Sequence, residues 1–125
     1  MIHLDTSFLI RALVRDSPQD KLLRKWLADQ AALAVSTIVW AEFLCGPVET
    51  LDAELAAEII RERVPFVSDD AVLSAHLFNL SGRRRGSLMD CMIAATAIRA
   101  EASLATENRE DFRRLESAGL RLVTS

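Results

Sequence analysis

The strongest constraint on the fold is a regular alternation of short apolar segments with longer segments of helical periodicity. Apolar runs predict five strands, at residues 2–4, 33–36, 64–67, 104–106 and 120–123. Helical spacing of apolar residues predicts the segments between them, at 6–15, 18–31, 37–45, 51–63, 69–80, 87–102 and 108–117. The pattern predicts an α/β fold, with a parallel sheet of about five short strands and helices on both faces.

Length and composition predict one folded domain over residues 1–125, since half of the residues are hydrophobic and a quarter are charged. The apolar runs are far shorter than the roughly 20 residues of a membrane-spanning helix, and no basic segment precedes a signal-peptide core. We therefore expect a cytoplasmic protein without membrane association. Cys45 and Cys91 lie in apolar helical runs without metal-binding spacing, and we expect both to be small core residues. Pro65 should place the third strand at a sheet edge or end it in an early turn.

The charge distribution has one local concentration. The net charge of −3 argues against a protein that coats nucleic acid by charge alone. Arg83, Arg84 and Arg85 are nevertheless consecutive and stand immediately before Gly86. Such a run can complement the dipole of a helix C-terminus, or it can contact phosphate groups. The sequence leaves both interpretations open.

Three acidic residues stand in apolar surroundings rather than on polar helix faces. Asp5 ends the first predicted strand, while Glu42 and Asp90 are isolated acids within apolar helical segments. An unpaired carboxylate in such a position costs several kcal/mol or shifts its pKa upward. A divalent cation such as Mg²⁺ or Mn²⁺ stabilises clustered carboxylates. A fourth acid, Asp111, follows the fourth predicted strand.

Helix capping is an alternative explanation for several of these acids. Asp5 stands at an N-cap position, and the pairs Ser87 with Asp90 and Asn108 with Asp111 have the spacing of a capping box. Taken together, however, the four acids follow strand ends or lie in early helical turns. Because those positions share one edge of a parallel sheet, we expect the four carboxylates to converge.

Four segments, which together span nearly the whole chain, resemble the PIN-domain nucleases and, within them, the VapC-type toxins of bacterial toxin–antitoxin pairs. The segments are Leu4-Asp5-Thr6-Ser7, Ala41-Glu42, Arg85-Gly86 followed by Asp90-x-x-Ile93-Ala94-Ala95-Thr96, and Thr106-x-Asn108-x-x-Asp111-Phe112.

The resemblance implies an endoribonuclease that depends on Mg²⁺ or Mn²⁺ and hydrolyses phosphodiester bonds. Residues equivalent to Asp5, Glu42, Asp90 and Asp111 would line a negatively charged pocket. Asp5 and Asp90 would be the leading metal ligands, and Glu42 and Asp111 would complete the site through water or a second ion. One of the carboxylates would accept a proton from the attacking water.

The resemblance also assigns supporting residues. Thr6, Thr106 and Asn108 look like hydrogen-bond donors that orient the carboxylates, with plain helix capping as an equal alternative for Asn108. Arg83, Arg84 and Arg85 would bind RNA at the rim of the pocket.

The partners implied by the resemblance are RNA, a small antitoxin protein that blocks the site, and a second copy of the chain in a homodimer. Apolar helix faces within residues 8–13 and 26–40 could serve these contacts or could belong to the core.

Two other functions compete with the nuclease. A phospho-receiver signalling domain has a similar length and alternation, with Asp69 or Asp70 as a possible phosphoacceptor. The chain offers it no acid pair after the first strand and no Lys after the fifth, since its two Lys residues are Lys21 and Lys25. An inactive PIN-like binding module is disfavoured because all four acids are present.

Overall fold

Strands and helices alternate from the first residues of the chain. The computed structural model describes residues 1–123. Within that range the strands are β1 (Ile2–Leu4), β2 (Leu33–Ser36), β3 (Glu62–Val64), β4 (Ser103–Ala105) and β5 (Arg121–Leu122). The helices are α1 (Thr6–Ala12), α2 (Pro18–Ala28), α3 (Thr37–Cys45), α4 (Thr50–Ile59), α5 (Ser68–Leu80), α6 (Leu88–Arg99) and α7 (Arg109–Arg113), followed by a short 3₁₀ helix (Glu116–Ala118).

The five strands form one parallel sheet in the order β3-β2-β1-β4-β5. β1 is therefore the central strand, although it is the first in the chain. The strand order reverses direction beside it, because the chain first builds outward through β2 and β3 and then returns to β4. In open parallel sheets, ligands bind outside the carboxyl ends of the strands at such a switch point.

The core lies on both faces of the sheet. His3 and Leu4 are consecutive in β1 and are both buried, as are Ala34 and Val35 in β2. Because successive side chains of a strand point to opposite faces, both faces must be covered. Phe8 of α1 stacks on Trp26 of α2, with ring centroids 5.4 Å apart. The predicted α/β fold with a parallel five-stranded sheet is confirmed.

The predicted third strand was wrong in its bounds. β3 spans Glu62–Val64, whereas the sequence predicted a strand at 64–67. Pro65 has no N–H to donate, and its carbonyl accepts a hydrogen bond from Arg99 Nη2 at 3.0 Å. The backbone N–H of Phe66 donates to Thr37 Oγ1 rather than to a neighbouring strand. The predicted edge position of this strand is confirmed.

Other boundaries moved by a few residues. α4 ends at Ile59 instead of 63 because Ile60 adopts an extended backbone that leads into β3. α6 covers Leu88–Arg99 rather than 87–102, and the predicted last helix divides into α7 and the 3₁₀ helix.

The prediction that Cys45 belongs to the core was also wrong, whereas Cys91 is buried as expected. Only Val39 and Phe43 of α3 are buried. Cys45 follows Phe43 by two positions, and residues two apart on a helix point to different faces.

None of the helices in the described residues is both long enough and apolar enough to cross a lipid bilayer.

Candidate active site

The sheet register places Asp5 beside Thr106. Leu4 of β1 pairs with Ala105 of β4, so the next residue of each strand lies at the same carboxyl edge. Thr106 Oγ1 donates a hydrogen bond of 2.6 Å to Asp5 Oδ2, and Ser7 Oγ donates one of 2.9 Å to the same oxygen. Asp5 is buried, with an exposed fraction of 4 %. Asp5 occupies the N-cap position of α1, but its carboxylate bonds to these hydroxyls instead of capping the helix.

Backbone amides hold the two hydroxyls in place. The N–H of Asn108 donates to Thr106 Oγ1 at 3.0 Å, and the N–H of Glu107 donates to Ser7 Oγ at 3.0 Å. Asn108 therefore reaches the site through its backbone. Its side chain forms no capping hydrogen bond within the described part of the chain.

Glu42 is oriented by a separate hydroxyl. Thr6 Oγ1 donates a hydrogen bond of 2.6 Å to Glu42 Oε1, across 36 positions of sequence. Glu42 lies in α3, which begins where β2 ends, so the carboxyl edges of β1 and β2 supply both members of this pair. Consecutive hydroxyl residues, Thr6 and Ser7, thus orient two different carboxylates.

Asp90 lies in the first turn of α6, where the charges of the other acids affect its pKa. Burial, and after it the charges of Asp5, Asp111 and Glu42, raise its pKa from 3.8 to about 6, against the opposing charge of Arg114. The carboxylates of Asp5, Glu42 and Asp111 therefore lie close enough to Asp90 for their charges to affect its pKa. The capping-box alternative is not realised, because Ser87 Oγ donates to the carbonyl of Arg84 instead.

Asp111 lies at the outer side of the site. Its carboxylate is partly exposed and is 3.8 Å from Arg84 Nη1. A small cavity of about 100 Å³ opens between the loop after α5 and the end of α7. It is lined by Arg84, Arg85, Gly86, Ser87, Asp90, Asp111 and Arg114.

The three consecutive arginines have different surroundings. Arg83 folds back on α5, where its guanidinium lies over the Phe78 ring and donates to Asn79 Oδ1. Arg84 and Arg85 line the cavity beside Asp90. The first belongs to the helix end, and the other two lie at the rim of the acidic site.

The donor set of the site is suited to a hard divalent cation rather than to zinc. It offers carboxylate oxygens, which Mg²⁺ and Mn²⁺ prefer, and no His or Cys is hydrogen-bonded into it among the described residues. In residues 1–123 no group of three or more His, Cys, Asp or Glu side chains is already assembled around one point. Mg²⁺ is commonly held by one or two carboxylates together with waters and substrate phosphates, and Asp5 with Asp90 fits that mode.

The sequence did not single out Ser7 or Arg114 as site residues. Ser7 stands next to Thr6 in the first motif, so its position could have indicated a second hydroxyl donor. Arg114 is one of several Arg residues in a charged segment, and nothing in that pattern distinguishes it.

The described structure contradicts the phospho-receiver alternative. Receiver folds have the strand order 2-1-3-4-5, whereas this sheet has β3-β2-β1-β4-β5. Asp70 is fully buried and forms a two-point ion pair with Arg99, with Nε to Oδ1 at 2.6 Å and Nη2 to Oδ2 at 3.1 Å. The sequence did not predict this pair.

Comparisons with known proteins find a family model and solved structures that match most of the chain. The model of the PIN domain family matches residues 2–117. A chain of a toxin–antitoxin complex from Klebsiella pneumoniae is 25 % identical, with a TM-score of 0.74 over 99 % of this chain and 97 % of that chain. VapBC2 from Rickettsia felis, bound to a DNA fragment from its promoter, is 24 % identical, with a TM-score of 0.79 over 98 % of each chain. VapC20 of Mycobacterium tuberculosis, a toxin that cleaves the sarcin-ricin loop, is 16 % identical, with a TM-score of 0.70 over 98 % of each chain. A comparison with curated proteins finds no match.

Proposed function

The chain belongs to the PIN domain family, and from this premise we propose that it is a metal-dependent endoribonuclease that acts as the toxin of a toxin–antitoxin pair. The observation that carries the proposal is the raised pKa of Asp90, which is caused first by burial and then by the nearby charges of Asp5, Asp111 and Glu42. A bound cation offsets the electrostatic repulsion among carboxylates in such an arrangement. An inactive binding module does not require such a cluster of acids.

The proposed metal is Mg²⁺ or Mn²⁺, held by Asp5 and Asp90. Glu42 and Asp111 complete the site through water or a second ion. When bound, the metal orients and acidifies a water and stabilises the charge that develops on the scissile phosphate. One of the four carboxylates accepts the proton of that water.

The remaining residues of the site position these groups. The hydroxyls of Thr106 and Ser7 hold Asp5 Oδ2 and leave its other carboxylate oxygen for the metal. Thr6 fixes Glu42 in the same way. Outer hydrogen bonds of this kind set the direction and basicity of ligands. Asn108 supports Thr106 through its backbone N–H.

RNA approaches over the rim formed by Arg84 and Arg85, whose exposed guanidinium groups flank the acids. Phosphate contacts by arginine offset the repulsion between the acidic pocket and the RNA backbone. Arg83 contributes mainly long-range charge, because its side chain is tied to α5.

The proposed protein partners are a small antitoxin and a second copy of the chain. The Klebsiella pneumoniae and Rickettsia felis structures are toxin–antitoxin complexes, which supports an antitoxin partner. Large apolar side chains are strongly exposed on α4 and α5, notably Leu51 at 76 %, Val72 at 73 % and Leu80 at 61 %. Exposed apolar surface marks protein interfaces where it is contiguous, and we infer that α4 and α5 contribute to such an interface. The faces considered from sequence, by contrast, are partly core, since Phe8, Leu9 and Trp26 are buried.

Cleavage of RNA by the purified protein tests the proposal. We expect cleavage with Mg²⁺ or Mn²⁺ and none in excess EDTA. Asp5→Asn and Asp90→Asn should abolish cleavage and leave the far-UV circular dichroism unchanged, whereas Asp29→Asn, an exposed acid of the same type, should retain it. Full activity in EDTA would refute the metal dependence. Growth arrest on expression, relieved by a neighbouring small gene, tests the toxin role separately.

A further inference from the structure

Arg114 has buried hydrogen-bond donors without acceptors in the described part of the chain. Its Nε and Nη2 atoms are shielded from solvent and have no hydrogen-bond partner among residues 1–123. None of the ion pairs formed within those residues includes it. Buried donors of a charged group are costly to leave unpaired, and they commonly indicate a missing water or ion.

The surroundings of Arg114 are suited to an anion. Arg84 and Arg85 approach the same cavity of about 100 Å³ from the loop after α5, while Arg114 enters it from the end of α7. Gly86 adopts a φ of +81°, and the position that a Cβ would occupy there is open space. Three arginines from two separate segments therefore line this small space, together with the acids Asp90 and Asp111.

We propose that this cavity binds one phosphodiester group of the RNA strand that is cut beside it, with Arg114 as the innermost ligand. The inference rests on the proposed nuclease function and adds a specific subsite to it. A guanidinium presents a planar fork of N–H donors that matches phosphate oxygens, and Arg114 lines the cavity with two donors that no group of residues 1–123 pairs.

The alternative is that Arg114 only balances the charge of Asp90. Arg114 does lower the pKa of Asp90, but it forms no ion pair with that carboxylate within the described residues. The Arg84 contact with Asp111 is long, at 3.8 Å, and both groups are substantially exposed. A contact of that kind contributes little free energy, so Arg84 is available to exchange it for a phosphate.

Inorganic phosphate is the first probe, used with the intact protein and followed by NMR. We expect saturable shifts of the Gly86 and Ser87 amides and of the Arg114 Nε–H signal. Arg114→Gln should remove the shifts at the amides, and Arg114→Lys should weaken them. Arg113→Gln is the matched control, because Arg113 is adjacent, exposed and paired with Glu110 at 2.7 Å. Unchanged phosphate shifts in Arg114→Gln would overturn the subsite and assign the two donors to water.

Binding of single-stranded RNA in EDTA, where hydrolysis does not proceed, is the second measurement. The slope of log K against log salt should fall in magnitude by about 0.7 in Arg114→Gln, the value for one phosphate contact to a single strand. It should stay at the wild-type value in Arg113→Gln. A purely structural Arg114 would change thermal stability and leave the slope unaltered. Should Arg114→Gln fail to fold, Arg85→Gln in the exposed loop must lower the slope in the same way, or the subsite is rejected.

These results separate the subsite from the nuclease proposal. Phosphate shifts that depend on Arg114, together with a wild-type protein that cleaves no RNA, would uphold the anion subsite and reject the nuclease. Metal-dependent cleavage of RNA without phosphate shifts would uphold the nuclease and reject the anion subsite.

Discussion

Thr106 donates its hydroxyl hydrogen to Asp5 Oδ2 over 2.6 Å, although the two residues are 101 positions apart in the chain. The contact depends on the pairing of β1 with β4, which aligns the first residue beyond each strand. The orientation of the Asp5 carboxylate thus depends on the register between β1 and β4 and not on the local sequence.

Replacing Thr106 by Val tests this contact. The substitution keeps the shape of the side chain and removes the donor, leaving Ser7 as the donor to Asp5 Oδ2. We expect cleavage or Mg²⁺ affinity to fall by roughly 10–100-fold, the usual effect of losing a hydrogen bond to a metal ligand. Titration of activity with Mg²⁺ measures the change. Thr106→Ser keeps the hydroxyl and should retain most activity; equal losses in both variants would contradict a hydrogen-bonding role.

Asp90→Asn should stabilise the protein while inactivating it. The pKa of Asp90 is raised to about 6 by burial and by the neighbouring acids, so its carboxylate is disfavoured in the folded state at pH 7. The neutral amide removes that repulsion. Urea unfolding at pH 7 should give a higher midpoint for Asp90→Asn than for the wild type. A lower midpoint would show that Asp90 is stabilised by a fixed partner instead of repelled.

The pH dependence of stability should combine two opposing groups. With a folded pKa near 6 and an unfolded pKa near 4, Asp90 favours folding below about pH 4 and loses that contribution as the pH rises through 6. Burial, the N-terminal ammonium and Arg99 lower the pKa of His3 from 6.5 to about 4. His3 therefore contributes stability above pH 6.5 that is lost as the pH falls through 4.

The two effects act against each other between pH 4 and 6. Asp90→Asn removes the contribution of Asp90 and leaves that of His3. The free energy of unfolding should therefore fall more steeply from pH 6 to pH 4 in this variant than in the wild type. Unfolding midpoints measured across this range, with wild type and variant side by side, test the expectation. Parallel curves would mean that the pKa of Asp90 is not raised.

Asp70, a buried acid outside the site, should contribute to stability and not to cleavage. Asp70→Asn breaks the ion pair with Arg99 and should lower the free energy of unfolding by about 3 kcal/mol. This is the lower end of the usual cost of breaking a buried pair, because the Arg99 side chain is 35 % exposed and can regain water. Cleavage per folded molecule should be unchanged. Asp69→Asn, the exposed neighbour, is the control and should leave stability nearly as it is.

Addition of Mg²⁺ should stabilise the folded protein. At a concentration 100 times the dissociation constant, a ligand that binds only the folded state contributes about 2.7 kcal/mol. Thermal unfolding with and without Mg²⁺ measures the effect without reference to activity. The stabilisation should be lost in Asp5→Asn. If Asp5→Asn keeps the full Mg²⁺ response, the ion is bound elsewhere.

The sequence predicted what depends on local pattern. Buried strands and amphipathic helices have periodicities that can be read from neighbouring residues, and isolated acids in apolar runs are conspicuous. Contacts that depend on tertiary placement were not accessible. The sequence suggested for Asp70 only the role of a possible phosphoacceptor, since nothing nearby indicated that Arg99 would lie against it. Cys45 looked like core because α3 is apolar nearly all round, while the sheet covers only one side of it.

The bounds of β3 illustrate the same limit. Residues 64–67 are more apolar than Glu62–Val64, yet the latter pair with β2 in the sheet. An edge strand needs little apolar character, because one of its sides has no neighbouring strand, and the absence of an N–H on Pro65 stops the ladder there. Hydrophobicity alone therefore placed this strand too late.

The central position of β1 has a consequence for synthesis. β1 leaves the ribosome before β4, which completes its second edge only after about 100 further residues have been made. Asp90, Thr106 and Asp111 also belong to this last third of the chain. A truncated chain released early has only Asp5 and Glu42 and cannot assemble the four-carboxylate edge. Interrupted translation of this protein therefore yields fragments that lack the proposed nuclease site.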